Sequence, residues 1–249
     1  MFARAGFGLY GLSLLALVLL WQIAAGLAES RVLPPPLVVL EVLAQGLVSG
    51  ELLYHLAVTL ARVAASFLLA MALGVAIGIA LGRSRLLDRI FDGWLILFLN
   101  LPALVTIILC YVWFGLIEAA AIAAVAINKI PNVVVTVREG ARALDPSYLE
   151  MARSFRLSRA KVLRYVVLPQ LVPFVVAAAR SGLALIWKIV LVVELLGRSD
   201  GVGFQLSVFF QLFDVAAILA YTLAFVAVVQ VIELAGLQPL ERRVNRWRR

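Results

Sequence analysis

Charge is scarce in this chain. Asp, Glu, Lys and Arg make up 14% of its 249 residues, against about 25% in an ordinary soluble domain. Apolar residues reach 64%, against about 45–50%. A soluble fold covers itself with polar groups, and this sequence carries too few of them. A soluble enzyme, a secreted disulfide scaffold and a disordered chain are thereby excluded, and lipid is the solvent for most of the surface. The one cysteine, Cys110, allows no internal disulfide and leaves the redox compartment unread. The one histidine, His55, is too few for a histidine metal cluster. No Gly-Lys dipeptide occurs, so the phosphate-binding loop G-x-x-x-x-G-K is missing. The chain cannot hydrolyse ATP by that device on its own. No paired carboxylates or nucleophile–base set stands out, and no enzymatic role is expected.

Long apolar runs are what the sequence has in excess. Crossing about 30 Å of hydrocarbon takes about 20 apolar residues as a helix. Six stretches qualify: 9–28, 57–82, 91–114, 116–137, 168–196 and 212–236. The expected fold is therefore all-α, a single polytopic membrane domain over 1–249. An even number of spans places both termini on one side. Sixteen of the 22 Lys and Arg residues fall on that side, two fall on the other (Arg31 and Arg198), and four lie inside spans. The positive-inside rule makes the termini cytoplasmic. The net charge of +8 is then an orientation signal, and no nucleic-acid partner is expected. The first run is read as a retained span; its 20 apolar residues exceed the 7–15 of a signal-peptide core.

Within the spans, Ala70, Gly74, Gly78 and Gly82 recur every four residues, a stripe that lets another backbone come close. Asn100-Leu101-Pro102 interrupts the third span, where proline removes a donor and kinks the helix. Such a break either faces a cavity or serves packing.

The connection from Arg138 to Val167 is the odd feature, because the other loops on that side are short. It reads as two short amphipathic helices. Asp145 caps the first and Pro146 takes its first turn. Tyr148, Leu149, Ala152 and Phe155 share one face, while Glu150, Arg153 and Arg156 point elsewhere. Ser158 caps the second, which has Val162, Leu163, Val166 and Val167 as its stripe, and Pro169 opens the fifth span. By composition these helices either lie in the lipid headgroups or dock a soluble partner.

This segment, from Asp145 to Pro173, resembles the cytoplasmic signature loop of permease subunits in binding-protein-dependent ABC importers. Glu150-Met151-Ala152 stands at the Glu-Ala-Ala start, and Val167-Leu168-Pro169 at the closing Ile/Val-Leu-Pro. Arg156 occupies the usual glycine position. Leu33-Pro34-Pro35-Pro36, Thr59 to Val63, Gly74, Gly78 and Gly82, Trp113-Phe114-Gly115 with Glu118, the run 140–146, Arg180, Trp187, Glu194 and Gly201-Val202-Gly203 follow in the family's order. The branch resembled handles sulfonates, taurine, nitrate and similar solutes.

The resemblance implies a type I importer permease fold in the bacterial inner membrane. It implies a second permease copy, in an expected homodimer, two copies of a cytoplasmic ABC ATPase, and a periplasmic or lipid-anchored solute-binding protein. No cofactor is expected in this chain, and ATP is used by the partner ATPase. The coupling loop would comprise Asp145, Leu149, Glu150, Ala152, Arg153, Phe155, Arg156, Ser158 and Pro169. Arg62 and Arg180 are expected to be structural. Asn100, Asn128, Lys129 and Lys188 are candidates for a positive translocation path for an anion; alternatively Lys129 snorkels to the interface and Lys188 pairs with an acid. The alternative functions are an ATP-independent secondary transporter or channel, which would need an intramembrane ion relay, and a non-transporting scaffold.

Overall fold

A computed structural model describes residues 2–28, 30, 32–237 and 239, with backbone alone for 2–10 and 237. Arg31 and the arginines from 242 to 249, used above for orientation, lie outside the described residues. Those described are helical or in turns, with no strand among them. Helix α1 (Phe2–Ala28) is followed by α2 (Pro36–Ser49), α3 (Glu51–Arg83), α4 (Arg85–Asn100), α5 (Ala103–Phe114) and α6 (Glu118–Arg142). After these come α7 (Pro146–Ser154), α8 (Arg159–Val162), α9 (Leu168–Gly197), α10 (Val202–Gln211) and α11 (Val215–Ile232). Five helices are long and apolar enough to cross a membrane, or six if the bent pair α4–α5 is one span.

The core is a bundle of α3, α6 and α9, with α5, α10, α11 and α2 around it. Helices α3 and α6 run parallel at close range because of the glycine stripe. A Cβ on Gly74 would sit 2.6 Å from Val133 Cβ, one on Gly78 2.8 Å from Val137 Cβ, and one on Gly82 2.5 Å from Ala141 Cβ. The stripe is thus a packing seam, as its spacing indicated.

Several spans differ from the sequence reading; the first and fourth extend beyond it, α1 starting at Phe2 instead of 9 and α6 ending at Arg142 instead of 137. The second is longer, since α3 starts at Glu51 instead of 57. The third is two helices bent by 97° at Leu101-Pro102, a full break where a kink was expected. Pro102 has no amide hydrogen, and Leu101 before it is extended (φ −70°, ψ 123°), so the helix stops and restarts. The last ends α-helically at Ile232 and closes in a π-helical turn over Glu233–Leu237. The second loop helix is also not independent. After the four residues of α8, a π-helical turn, Leu163–Val167, leads straight into α9. Pro169 therefore lies at the joint of a continuous helix, where the wider turn accommodates its missing donor. Helix α10 on the opposite end had no counterpart in the span assignment.

Candidate functional site

Two polar regions lie at opposite ends of the bundle. At one end is α7, held as its sequence dictates. Asp145 accepts from Ser147 N at 2.8 Å, and Pro146 fills the first turn. Leu149 packs on a cluster of Ala141, Leu144, Val167 and Leu171, and Ala152 is 1% exposed. Only these two of the expected apolar face turn inward. Tyr148 is 53% and Phe155 74% exposed, a large aromatic area left without cover among the described residues. Glu150, Arg153 and Arg156 are exposed beside them.

Arg156 is the residue on which α7 ends. Its amide donates to Arg153 O at 2.9 Å, and the next amide, Leu157, donates to Ala152 O at 3.0 Å. This pair of bonds is the Schellman ending, which requires a left-handed residue between helix and loop. Arg156 adopts it, with φ 49°. The turn that glycine makes freely is kept here by an arginine. Ser158 then caps α8, accepting from Lys161 N at 3.5 Å.

At the other end Arg62 of α3 gathers three acids from three segments. Its Nε and Nη2 donate to the two oxygens of Glu118 at 2.7 and 2.9 Å. Its Nη1 donates to Glu194 at 2.9 Å and to Asp200 O at 2.8 Å, and its Nη2 also bonds the Asp200 carboxylate. Glu194 is fully buried and accepts besides from Thr59 Oγ1 at 2.9 Å and Gly203 N at 2.8 Å. His55 Nδ1 accepts from Gly201 N at 3.0 Å. The α9–α10 turn, with Gly201 at φ 103°, is thereby tied to α3. Burial alone would push the Asp200 carboxyl up, but Arg62, Arg198 and His55 hold it below its ordinary value. Arg62 is structural, as expected. The charge network around it was not read from the sequence, since the acids come from residues 56, 132 and 138 positions away. Arg198 helps close it, at 3.0 Å from Glu118.

The four path candidates do not form one cluster. Asn100 ends α4 and donates to Ile96 O of its own helix at 2.7 Å. Lys129 is 2% exposed and does not snorkel. Its stem runs over Gly182, where a Cβ would meet Lys129 Cε at 3.0 Å, and among the described residues it has no hydrogen-bond or ion-pair partner. Lys188 is exposed on α9, six residues beyond Gly182, or about 9 Å of rise. Glu194, less than two turns further along α9, is committed to Arg62. Asn128 is half-buried, and it begins a polar stripe on α6 continued by the exposed Asn132 and the half-buried Thr136, whose hydroxyl donates to Asn132 O at 3.0 Å. On α9, Ser181 and Lys188 lie on its uncovered side.

This all-α bundle, with a broken span and a long loop between α6 and α9, is the fold of a type I importer permease. Residues 70–237 match the model of the binding-protein-dependent transport system inner membrane component family, and the chain belongs to that family. It is 34% identical over 233 residues to the aliphatic sulfonates transport permease protein SsuC of Escherichia coli (strain K12), covering 93% of this chain and 88% of the relative. It is 29% identical to the taurine transport system permease protein TauC of the same organism, over 91% of this chain and 84% of that one. Among solved structures, an inward-facing form of the MetNI methionine ABC transporter superposes with TM-score 0.69 at 19% identity, covering 80% of this chain and 98% of its own; that likeness concerns the fold. The protein is thus a multi-pass membrane permease subunit that works with an ATPase and a solute-binding protein, and it is not itself an enzyme.

Proposed function

We propose that the chain forms the translocation path of an ATP-driven importer for a small anion, a sulfonate in the first instance. Two copies would meet across the open sides of α6 and α9, and each would seat its α7 in one ATPase subunit. ATP is then used by the partner. The charge asymmetry supports cytoplasmic termini, which puts α7 on the cytoplasmic side and the Arg62 network outside. The observation that carries the coupling role is α7 itself. Capped, ended by a Schellman turn and anchored through Leu149 and Ala152, it leaves Tyr148, Phe155 and Glu150 free for a partner. The anion is supported by the names of the relatives and by the exposed Lys188 on the uncovered side of α9.

The test is uptake into proteoliposomes that hold the permease with its ATPase and binding protein. An alkanesulfonate should enter only with ATP inside, and Lys188→Met should slow entry while leaving assembly intact. Uptake without ATP would favour a secondary transporter instead. Transport of a cation with no response to sulfonate would remove the anion reading and leave the permease.

A further inference from the structure

A groove and two cavities near the end of α3 are used by nothing described so far. The groove lies between α3, α4 and α6 and has a volume of about 460 Å³. Ile77, Leu81, Phe91, Trp94, Phe98 and Pro131 are among its walls, and its lining side chains are all apolar. At Leu81 it meets a cavity of about 610 Å³ walled by Arg83, Arg85, Arg142 and Arg153. A third space of about 640 Å³ shares Arg83 and Arg153 and adds Arg159. All three have the size of small-molecule sites, which run from about 300 to 1,000 Å³.

Charge in the two cavities is unbalanced. The one acid on their walls, Asp88, is already bonded by Arg138 at 3.1 Å and by Arg142. Among the described residues Arg83, Arg85, Arg153 and Arg159 make no ion pair. Guanidinium groups in this number bind phosphate oxygens in bidentate fashion.

We propose that this is a site for an acidic phospholipid, with a hydrocarbon chain in the apolar groove and the phosphate between Arg83 and Arg153. The adjacency of apolar groove and basic cavity, which share Leu81 as a wall, selects this occupant. A free phosphate would fill the basic part alone. A helix of a second copy would fill the apolar part alone. An acidic segment of the ATPase would not enter a groove at the depth of the hydrocarbon. Basic pockets between spans on the cytoplasmic side are known to attract anionic headgroups, and the cytoplasmic placement rests on the orientation proposed above. The phosphate would bridge Arg83 on α3 to Arg153 on α7. Of the exposed docking residues, Glu150, Phe155 and Arg156 line none of these spaces, while Arg153 of the coupling loop lines two of them, so the lipid would reach α7 through Arg153 at the edge of the docking surface.

The experiment is native mass spectrometry of the assembled transporter, taken from nanodiscs of phosphatidylcholine with and without phosphatidylglycerol. Phosphatidylglycerol should be retained in preference to phosphatidylcholine. Arg83→Gln with Arg153→Gln should weaken its retention roughly thirtyfold, the loss expected for two basic contacts at an anionic surface. Ala80→Trp, which fills the groove from an exposed position of α3, should weaken it as well. Equal retention of the two lipids would overturn the proposal, as would retention that neither variant changes. Inorganic phosphate competing as well as the lipid would show a free-anion site and no lipid site. Loss of ATPase from the arginine variant with lipid retention unchanged would assign these arginines to the protein partner.

Discussion

Replacing Arg62 by methionine removes the centre of its charge network while nearly preserving side-chain length. The structure sets the cost. Arg62 is 3% and Glu194 0% exposed, so the variant strands a fully buried carboxylate that keeps only Thr59 and Gly203 as donors. Breaking a buried pair by removing one partner costs about 3–5 kcal/mol. The links to Glu118 and Asp200, whose side chains are 45% and 26% exposed, add little, because water screens them. Arg62→Lys should recover little, since one ammonium cannot hold two carboxylates in a fork. Adding Glu194→Gln to Arg62→Met removes the stranded charge. The double variant should be destabilised by less than the sum of the singles, with a coupling of about 1–3 kcal/mol. Cys110 provides the assay: it is 2% exposed and is the one cysteine of the chain, so its reaction with a thiol probe on heating reports opening of the bundle. Acid offers a second check. Asp200 is held below its ordinary value, so its contribution is complete above the unfolded carboxylate pKa, about 3.9, and fades as pH falls through the lower folded value. Reactivity in Arg62→Met no greater than in Arg85→Met, an exposed control, would refute the argument.

Three further outcomes are expected. Arg156→Gly should preserve the α7 ending and stabilise the chain by about 0.5 kcal/mol, since the left-handed conformation costs an arginine about 1–2 kcal/mol and glycine's greater unfolded freedom offsets part of that; thermal unfolding beside Arg156→Ala, which should show no gain, decides it. Gly78→Ile should cost about 1–3 kcal/mol by overpacking, because its Cβ alone would lie 2.8 Å from Val137 Cβ and 3.0 Å from Val134 O; normal expression and stability would contradict a tight seam. Glu150→Lys should reduce co-purification of the ATPase without affecting membrane insertion, and unchanged co-purification with normal uptake would remove Glu150 from the docking surface.

The local signals were readable because each acts within a few residues. Asp145 and Pro146 start α7, Ser158 starts α8, and the four-residue spacing of Gly74, Gly78 and Gly82 marks a seam whichever helix fills it. Span positions followed from hydropathy, but helix ends did not always: α3 reaches back to Glu51, backbone chemistry breaks the third span at Leu101-Pro102, and a π turn merges two elements at 163–167. The Arg62 network was not readable as a site. Its partners are separated by up to 138 positions, and no spacing rule connects them. The snorkelling expected of Lys129 failed for a different reason. Snorkelling toward the interface was a reasonable expectation for a lysine two turns from a helix end, but the missing side chain of Gly182 gives Lys129 room inside the bundle. Whether a cation points outward or inward depends on its neighbour across the interface, which sequence periodicity does not reveal.

The distribution of tight contacts also predicts how motion at α7 would travel. Helix α7 is seated on the end of α6 and the beginning of α9, through Leu149 against Ala141, Leu144, Val167 and Leu171. Force on it therefore enters both helices at once. The glycine seam then binds α6 to α3 over three successive contacts, and at the far end Arg62 fastens α3 to α6 through Glu118 and to α9 through Glu194. Close-packed interfaces are bistable and do not deform continuously, so α3, α6 and α9 should move as one body, while displacement concentrates between the two copies. Spin labels placed pairwise on the exposed positions Leu68 and Lys188 of one copy should keep their distance when the assembled transporter binds ATP. Labels at Ser154 on the two α7 helices should approach each other. A change at 68–188 as large as that at 154 would show that the bundle bends internally, and the Arg62 network would then be a hinge and not a clamp.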